Sequence, residues 1–162
     1  MAGSARAQQM ANRFQWLNDQ VIAFVEPLTE EQWAMPCGDD HRPIGVVAHH
    51  VATAYGAFTR WVATMANGQP LPPVTLDVIN NLNAQHAETN AAVGKIETVD
   101  LLRQNGGAAV AAVSNLSDED LARSGTMPLL GDAPVTTAQL IGGLLMAHTN
   151  GHLTAMRGAL GR

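Results

Sequence analysis

The feature that most constrains this chain is the helical spacing of its apolar residues. Apolar side chains recur three and four positions apart in segments 4–27, 43–65, 76–115 and 136–160, of which the third pauses around Gly94. No stretch alternates apolar and polar residues as a half-buried strand does. Because each apolar stripe needs a partner, we predict an all-α fold, an up-and-down four-helix bundle with long crossover connections. The whole chain of 162 residues fits one such domain.

Local signals mark the start of the last helix and of a short helix near residue 30. Thr136 is followed three residues later by Gln139, and Thr29 by Gln32, which is the spacing of a capping box. Pro43 suits the first position of the second long helix. These signals agree with the helix boundaries that the apolar spacing indicates.

Composition excludes several classes of protein. Hydrophobic residues make up 46% of the chain and charged residues 14%, which indicates a filled core rather than a disordered chain. The net charge is −5 and no Lys/Arg cluster occurs, so we expect no nucleic-acid partner. No run reaches membrane-spanning length and no signal-peptide pattern occurs, so we expect a soluble cytoplasmic protein with no membrane partner. The single cysteine, Cys37, is expected to be a structural thiol.

Two histidines of the last helical segment share one face. His148 and His152 are four residues apart, and four residues turn an α-helix by about 400°, so the two imidazoles lie about 40° apart and one turn above each other. Two imidazoles in this arrangement can bind one metal ion. Because this spacing also arises by chance, its interpretation depends on histidines elsewhere in the chain.

The second helical segment contains two adjacent histidines, of which one faces the predicted core. His49 and His50 lie about 100° apart on a helix, so they cannot point in the same direction. The bulkier apolar stripe, with Val47, Phe58 and Trp61, is the one that contains His50. We therefore predict that His50 faces the interior and that His49 lies at its flank.

His50, His148 and His152 together form a tripod of imidazoles that can hold a divalent ion and leave coordination positions open. As packing residues, three inward histidines on two helices would each need a buried partner, so we favour metal binding. His86 lies on the apolar face of the third segment and is a further inward candidate. It is equally a candidate for a hydrogen-bonded core histidine.

These residues and the motifs around them resemble the DinB-like superfamily of four-helix bundles. Its members include bacillithiol- and mycothiol-dependent S-transferases and the N-terminal domain of mycothiol-dependent maleylpyruvate isomerase. The family's single ligand on the second helix, six residues after an Ile or Val, matches His50, and its pair on the last helix matches His148 and His152. The resemblance covers nearly the whole chain and rests on four stretches: Leu28-Thr-Glu-Glu-Gln32, Ile44-Gly-Val-Val-Ala-His-His50-Val-Ala, Leu116-Ser-Asp-Glu-Asp-Leu121 and Ala147-His-Thr-Asn-Gly-His152-Leu.

The resemblance implies a divalent metal, zinc or nickel, bound by His50, His148 and His152. It also implies a low-molecular-weight thiol as cosubstrate, because the S-transferases of the family use the ion to activate such a thiol. We therefore expect a metal-dependent S-transferase that acts on a small molecule with an apolar part. A metal-dependent hydrolase and a non-catalytic protein that binds a metal or a small ligand are the alternatives.

Other roles around the tripod stay open, and no catalytic residue is assigned. His86 is either a fourth ligand or a residue that supports the ligands, and His86 or His49 could act as the general base that no acidic residue obviously supplies. Arg60 and Arg157 are candidates to bind a carboxylate of the thiol. The last helix also carries glycines that allow close approach of a helix within the bundle or in a second copy, so a homodimer is a further expectation: Gly142, Gly143, Gly151 and Gly158.

Overall fold

Helices make up most of the structure, a computed structural model that describes residues 3–131 and 133–162. Position 132, within the predicted connection before the last helix, lies outside the described residues. A π-helical segment over Ile141–Ala147 joins α7 to α8 without a break, and the three together are called the last helix below. The α-helices are α1 (Ala5–Val25), α2 (Glu30–Trp33), α3 (Ile44–Ala66), α4 (Leu76–Thr89), α5 (Lys95–Ser114), α6 (Asp118–Ala122), α7 (Thr137–Leu140) and α8 (His148–Ala159). The predicted all-α fold is confirmed.

Two short antiparallel ribbons occur within the connections. β1 (Pro36–Cys37) pairs with β2 (Arg42–Pro43), and β3 (Ser124–Gly125) pairs with β4 (Val135–Thr136). The first ribbon is closed by a turn in which Gly38 has a φ of 69° and His41 a φ of 54°, both in the left-handed region. Because β2 is followed directly by α3, this turn fixes Arg42 at the entrance to the helix that carries His50.

α1, α3, α5 and the last helix form the bundle. α1 and α3 each pack against α5 and against the last helix, so α1 and α3 occupy opposite corners. The Trp33 ring lies against Gly45 at the start of α3, and its indole N–H donates to the carbonyl of Val93, just before α5, at 3.1 Å. α3 and α5 therefore begin at the same end of the bundle and run in the same direction. This arrangement requires the long crossover that the sequence predicted, and α4 lies within it.

A glycine allows the closest contact between α1 and α5. The amide of Asn18 donates from Nδ2 to the carbonyl of Leu102 at 3.1 Å, and a Cβ added to Gly106 would lie 2.3 Å from the same nitrogen. The glycines of the last helix do not play this role within the chain. Apart from its chain neighbours and the adjacent backbone of its own helix, a Cβ built at any of these glycines would lie more than 4 Å from every atom of the described residues: Gly142, Gly143, Gly151 and Gly158.

The core between the helices is apolar, but it contains two histidines of α3. Phe14 of α1 and Tyr55 of α3 meet edge to face across it, with ring centroids 5.0 Å apart. His49 and His50 are buried beside this core. Among the described residues, no helix has the combination of length and apolar character that a membrane span requires.

Candidate metal centre

The last helix places two of the candidate ligands. Its start is fixed by the expected capping box, in which the N–H of Gln139 donates to Thr136 Oγ1 at 3.1 Å and the N–H of Thr136 donates to Gln139 Oε1 at 2.8 Å. The π-helical segment then ends directly before His148. His148 and His152 both lie within α8, so the spacing of four residues brings their rings onto one face as predicted. Short π-helical segments are frequent next to functional sites.

Three histidines from two helices converge at one point. The Nε2 atom of His148 lies 3.1 Å from Nε2 of His50 and 3.2 Å from Nε2 of His152. One ring nitrogen from each residue lies within 4.8 Å of the other two. The structure therefore brings together the three residues that the sequence selected as ligands, and their binding of a metal stays a prediction.

Hydrogen bonds among the three rings do not account for this convergence. A neutral imidazole has one N–H donor and one acceptor nitrogen, so a single Nε2 offers either one proton or one lone pair. Nε2 of His148 faces two other Nε2 atoms at short distance, and it can form a good hydrogen bond with only one of them. Three nitrogens bound to one zinc ion at about 2.1 Å in tetrahedral geometry would lie about 3.4 Å apart. The donor set thus fits a divalent ion.

The surroundings of the three rings keep them neutral. The pKa of His50 is lowered to about 2, mainly by burial and to a lesser degree by the neighbouring His148, His152, Arg42 and His86. Burial likewise lowers the pKa of His148 to about 3, with contributions from His152 and Arg42. The pKa of His152 is lowered by burial and by Arg42. Neutral imidazole is the form that binds a metal.

His86 pairs with His49. Nδ1 of His49 lies 2.9 Å from Nε2 of His86, and the two rings stack with their centroids 5.1 Å apart. Among the described residues, the group whose nitrogens converge does not include His86. His49, predicted at the flank of the core-facing stripe, is buried and positions the His86 ring. This geometry favours a supporting role for His86 over that of a fourth ligand.

The three-histidine cluster lies between two cavities, and His148 and His152 line both. One cavity, of about 400 Å³, is bounded by α3, α4 and the last helix. We call it the apolar cavity, because Phe58, Trp61 and Leu82 are among the side chains that line it together with His50 and His86. The other, of about 490 Å³, we call the polar cavity. It is lined by the first ribbon and the last helix: Cys37, Gly38, Asp39, Asp40, Arg42, Val47, Ala147, His148, Gly151, His152 and Ala155.

The polar cavity contains charged residues that the sequence analysis missed. The sequence showed no acidic residue obviously placed as a general base, and in the structure Asp39 and Asp40 line this cavity together with Arg42 and the histidines. Arg60 and Arg157, considered for binding a carboxylate, are not among the residues that line either cavity. The only available signal was the position of the charged turn directly before the helix of His50, and that signal does not show that the turn folds back onto the last helix.

Cys37 also lines the polar cavity, but its thiol is not suited to act as a nucleophile. Burial and the nearby Asp40 raise the pKa of its thiol to about 11, against a smaller opposing effect of Arg42. A thiol with so high a pKa is almost entirely protonated at neutral pH. This agrees with the interpretation of Cys37 as a structural residue.

Comparisons with known proteins relate this chain and its fold to one family. A family model described as DinB superfamily matches residues 13–156. Among solved structures, the chain is similar to YfiT from Bacillus subtilis, described as "a probable metal-dependent hydrolase with an unusual four-helix bundle topology". The similarity has a TM-score of 0.74 and 17% sequence identity, and it covers 98% of this chain and 90% of that chain. No curated protein matches the chain.

Proposed function

This chain belongs to the DinB superfamily, and from that premise we propose that it is a metal-dependent S-transferase. In this proposal His50, His148 and His152 hold one divalent ion, zinc or nickel, both of which suit imidazole ligands. The substrates are a low-molecular-weight thiol and a small electrophile with an apolar part. A divalent ion bound there would lower the pKa of a thiol or a water molecule that occupies its open coordination position.

One observation carries this proposal: the three-histidine cluster lies where two cavities of different polarity meet. A reaction between two molecules requires two binding spaces that open onto the same reactive point, because holding both reactants there makes the step effectively unimolecular. The apolar cavity suits the electrophile and the polar cavity suits the thiol. Each is of a size that holds a small molecule.

The residues that line the apolar cavity favour an electrophile with an apolar part. Phe58, Trp61 and Leu82 offer aromatic and aliphatic surface to its apolar part. The ring of His86, held by its 2.9 Å contact with His49, lies in the same cavity. There it can donate a hydrogen bond to a departing group or accept the proton that the thiol loses. The thiol sulfur forms the new bond to carbon, and the leaving group departs with its electron pair.

A metal-dependent hydrolase is the second candidate, and a specific observation favours it. Asp39 and Asp40 line the polar cavity beside His148 and His152, where a carboxylate could take a proton from an attacking water. YfiT, which shares the fold, is described as a probable metal-dependent hydrolase. In a hydrolase, water would occupy the place of the thiol, and an ester or amide that of the electrophile.

The two candidates are separated by assaying the metal-loaded protein with two substrates in parallel. One assay supplies N-acetylcysteine with 1-chloro-2,4-dinitrobenzene, and the other supplies a p-nitrophenyl ester without thiol. The proposal predicts thioether formation that requires the metal, is lost in His148→Ala and is retained in His41→Asn, because His41 is an exposed histidine outside the cluster. Ester hydrolysis without thiol transfer would support the hydrolase. A loaded protein that turns over neither substrate would point to a binding protein.

A further inference from the structure

The cationic side chain of the polar cavity is Arg42. It lies in β2, two residues before α3 begins, and its side chain is 16% exposed. An arginine cannot lose its charge to relieve burial, so its N–H groups need acceptors or water. Arg42 therefore needs a hydrogen-bond acceptor inside the cavity.

Among the described residues, Arg42 forms one ion pair, which leaves part of its guanidinium without a partner. Nε of Arg42 lies 2.5 Å from Oδ2 of Asp40 and forms an ion pair with that carboxylate. Nη1 of Arg42 is buried and has no hydrogen-bond partner among the described residues. Buried donors without a partner are rare in folded proteins, and leaving a charged donor without a partner costs the most free energy.

Arg42, with its unpaired Nη1, lies beside the three-histidine cluster. Arg42 lines the same cavity as His148 and His152, and it is close enough for its charge to oppose protonation of both rings. A ligand in this cavity therefore lies beside Arg42 and the two histidines of the last helix. The cavity has a volume of about 490 Å³, which is enough for a small organic acid.

Two acidic side chains, Asp39 and Asp40, also line the cavity, and their negative charges would repel an anionic ligand. Asp39 is exposed, and the side chain of Asp40 is 56% exposed, so either carboxylate can turn toward water when an anion enters. The Arg42 guanidinium is held inside and cannot turn away to the same extent.

From these observations we propose that Arg42 binds a carboxylate of the ligand, so that the thiol or acyl substrate of the polar cavity bears a carboxylate group. Guanidinium and carboxylate match each other in shape and charge and form paired, charge-assisted hydrogen bonds. The inference rests on the proposed function, since it names the chemical class of ligand that the same site takes. It assigns to Arg42 the role that the sequence had considered for Arg60 and Arg157.

The test uses three mercapto acids of increasing length, mercaptoacetate, 3-mercaptopropionate and 4-mercaptobutanoate, each paired with its amide. Binding of the sulfur is followed by the visible spectrum of the cobalt-substituted protein, since cobalt accepts the same nitrogen ligands as zinc. Binding of the carboxylate is followed by the Nε–H resonance of Arg42 in the zinc-loaded and the metal-free protein, assigned with Arg42→Lys.

We expect at least one acid to bind about tenfold more tightly than its amide, and to shift the Arg42 resonance when its amide does not. Arg42→Gln should bind the acid and the amide equally, with the affinity for the amide unchanged. Asp40→Asn should bind the acid more tightly, because it removes the carboxylate that competes for Arg42. Equal affinity of acid and amide at all three lengths, or a preference that persists in Arg42→Gln, would overturn the inference.

The two readouts separate this inference from the proposed function. If sulfur binding changes the cobalt spectrum but no acid shifts Arg42 differently from its amide, the metal site stands and the role of Arg42 is wrong. If the protein takes up no cobalt but Arg42 still responds to the acids alone, the anion site stands and the metal site is wrong.

Discussion

Nε2 of His148 lies 3.1 Å from Nε2 of His50, although 98 residues separate the two histidines in the sequence. The contact depends on how the last helix sits against α3. Phe58 of α3 meets the His148 ring edge to face, with centroids 4.9 Å apart. One residue further along α8, the hydroxyl of Thr149 lies 3.5 Å from that of Tyr55. These contacts hold the two helices in the register that brings the histidines together.

The buried histidines predict an acid-sensitive stability for the metal-free protein. Burial holds the pKa of His50 at about 2 and that of His148 at about 3, against about 6.5 in an unfolded chain. Between these values the unfolded chain binds more protons, so the free energy of unfolding falls as the pH falls below about 6.5. For each fully responding histidine the slope approaches about 1.4 kcal/mol per pH unit. Urea denaturation at several pH values measures it.

Two variants control this measurement. His148→Gln should reduce the slope below about pH 6.5, because it removes one of the two strongly shifted groups. His41→Asn is the matched control variant, because it replaces an exposed histidine outside the three-histidine cluster, and asparagine tolerates the left-handed backbone at this position. An identical slope in wild type and His148→Gln would contradict the account.

His86 is predicted to support the reaction without holding the metal. Its contact with His49 and its absence from the converging group indicate that His86→Ala keeps the metal content of the wild type. The rate of thiol transfer should fall by roughly 10²-fold or more, as expected for the loss of a proton donor or acceptor. Metal analysis together with steady-state kinetics tests this. A His86→Ala protein that loses its metal would show that His86 is a ligand.

The two adjacent glycines of α5 provide a matched test of the helix packing. A Cβ at Gly106 would lie 2.3 Å from Nδ2 of Asn18, whereas a Cβ at Gly107 would meet nothing within 4 Å. Gly106→Ala should destabilise the protein by about 1–3 kcal/mol, because the buried Asn18 would have to move. Gly107→Ala should stabilise it by up to about 1 kcal/mol through helix propensity. Chemical denaturation measures both, and equal effects would contradict the described contact between α1 and α5.

Cys37 is predicted to be unreactive in the folded protein. Burial raises the pKa of its thiol to about 11, so at about pH 8 only about a thousandth of it is thiolate. Alkylation by iodoacetamide should be about a hundredfold slower in the native protein than in guanidinium, where the thiol has its ordinary pKa. Mass spectrometry follows the reaction, with Cys37→Ser as the unlabelled control. Equal rates in the two states would contradict the burial of Cys37.

The parts of the fold that depend on neighbours in the sequence were predicted correctly. Capping boxes at Thr29 and Thr136 form as expected, because each uses residues three positions apart. The spacing of His148 and His152 determines their shared face for the same reason. The start of α5 at Lys95 was marked in the sequence only by the pause around Gly94, because Gly94 precedes the helix without a capping side chain. A helix start without a capping side chain leaves little signal in the sequence.

The parts of the site that depend on distant contacts could not be predicted. Arg42 reaches the polar cavity only because the first ribbon folds against α8, and neither local spacing nor composition records that contact. The pairing of His49 with His86 likewise depends on where the crossover places α4. The π-helical segment replaces what the apolar spacing predicted as a regular α-helix, because apolar spacing does not distinguish the hydrogen-bond pattern of a single π-helical segment from that of the flanking α-helix.

Metal content decides whether the three converging histidines hold one metal ion. Untagged wild type, His50→Ala, His148→Ala and His41→Asn are incubated with zinc or nickel, freed of excess ion and analysed by mass spectrometry for metal per chain. We expect about one ion per chain in wild type and His41→Asn, and loss of the ion in the other two variants. A wild type that stays empty, or a His148→Ala protein that keeps its ion, would contradict it.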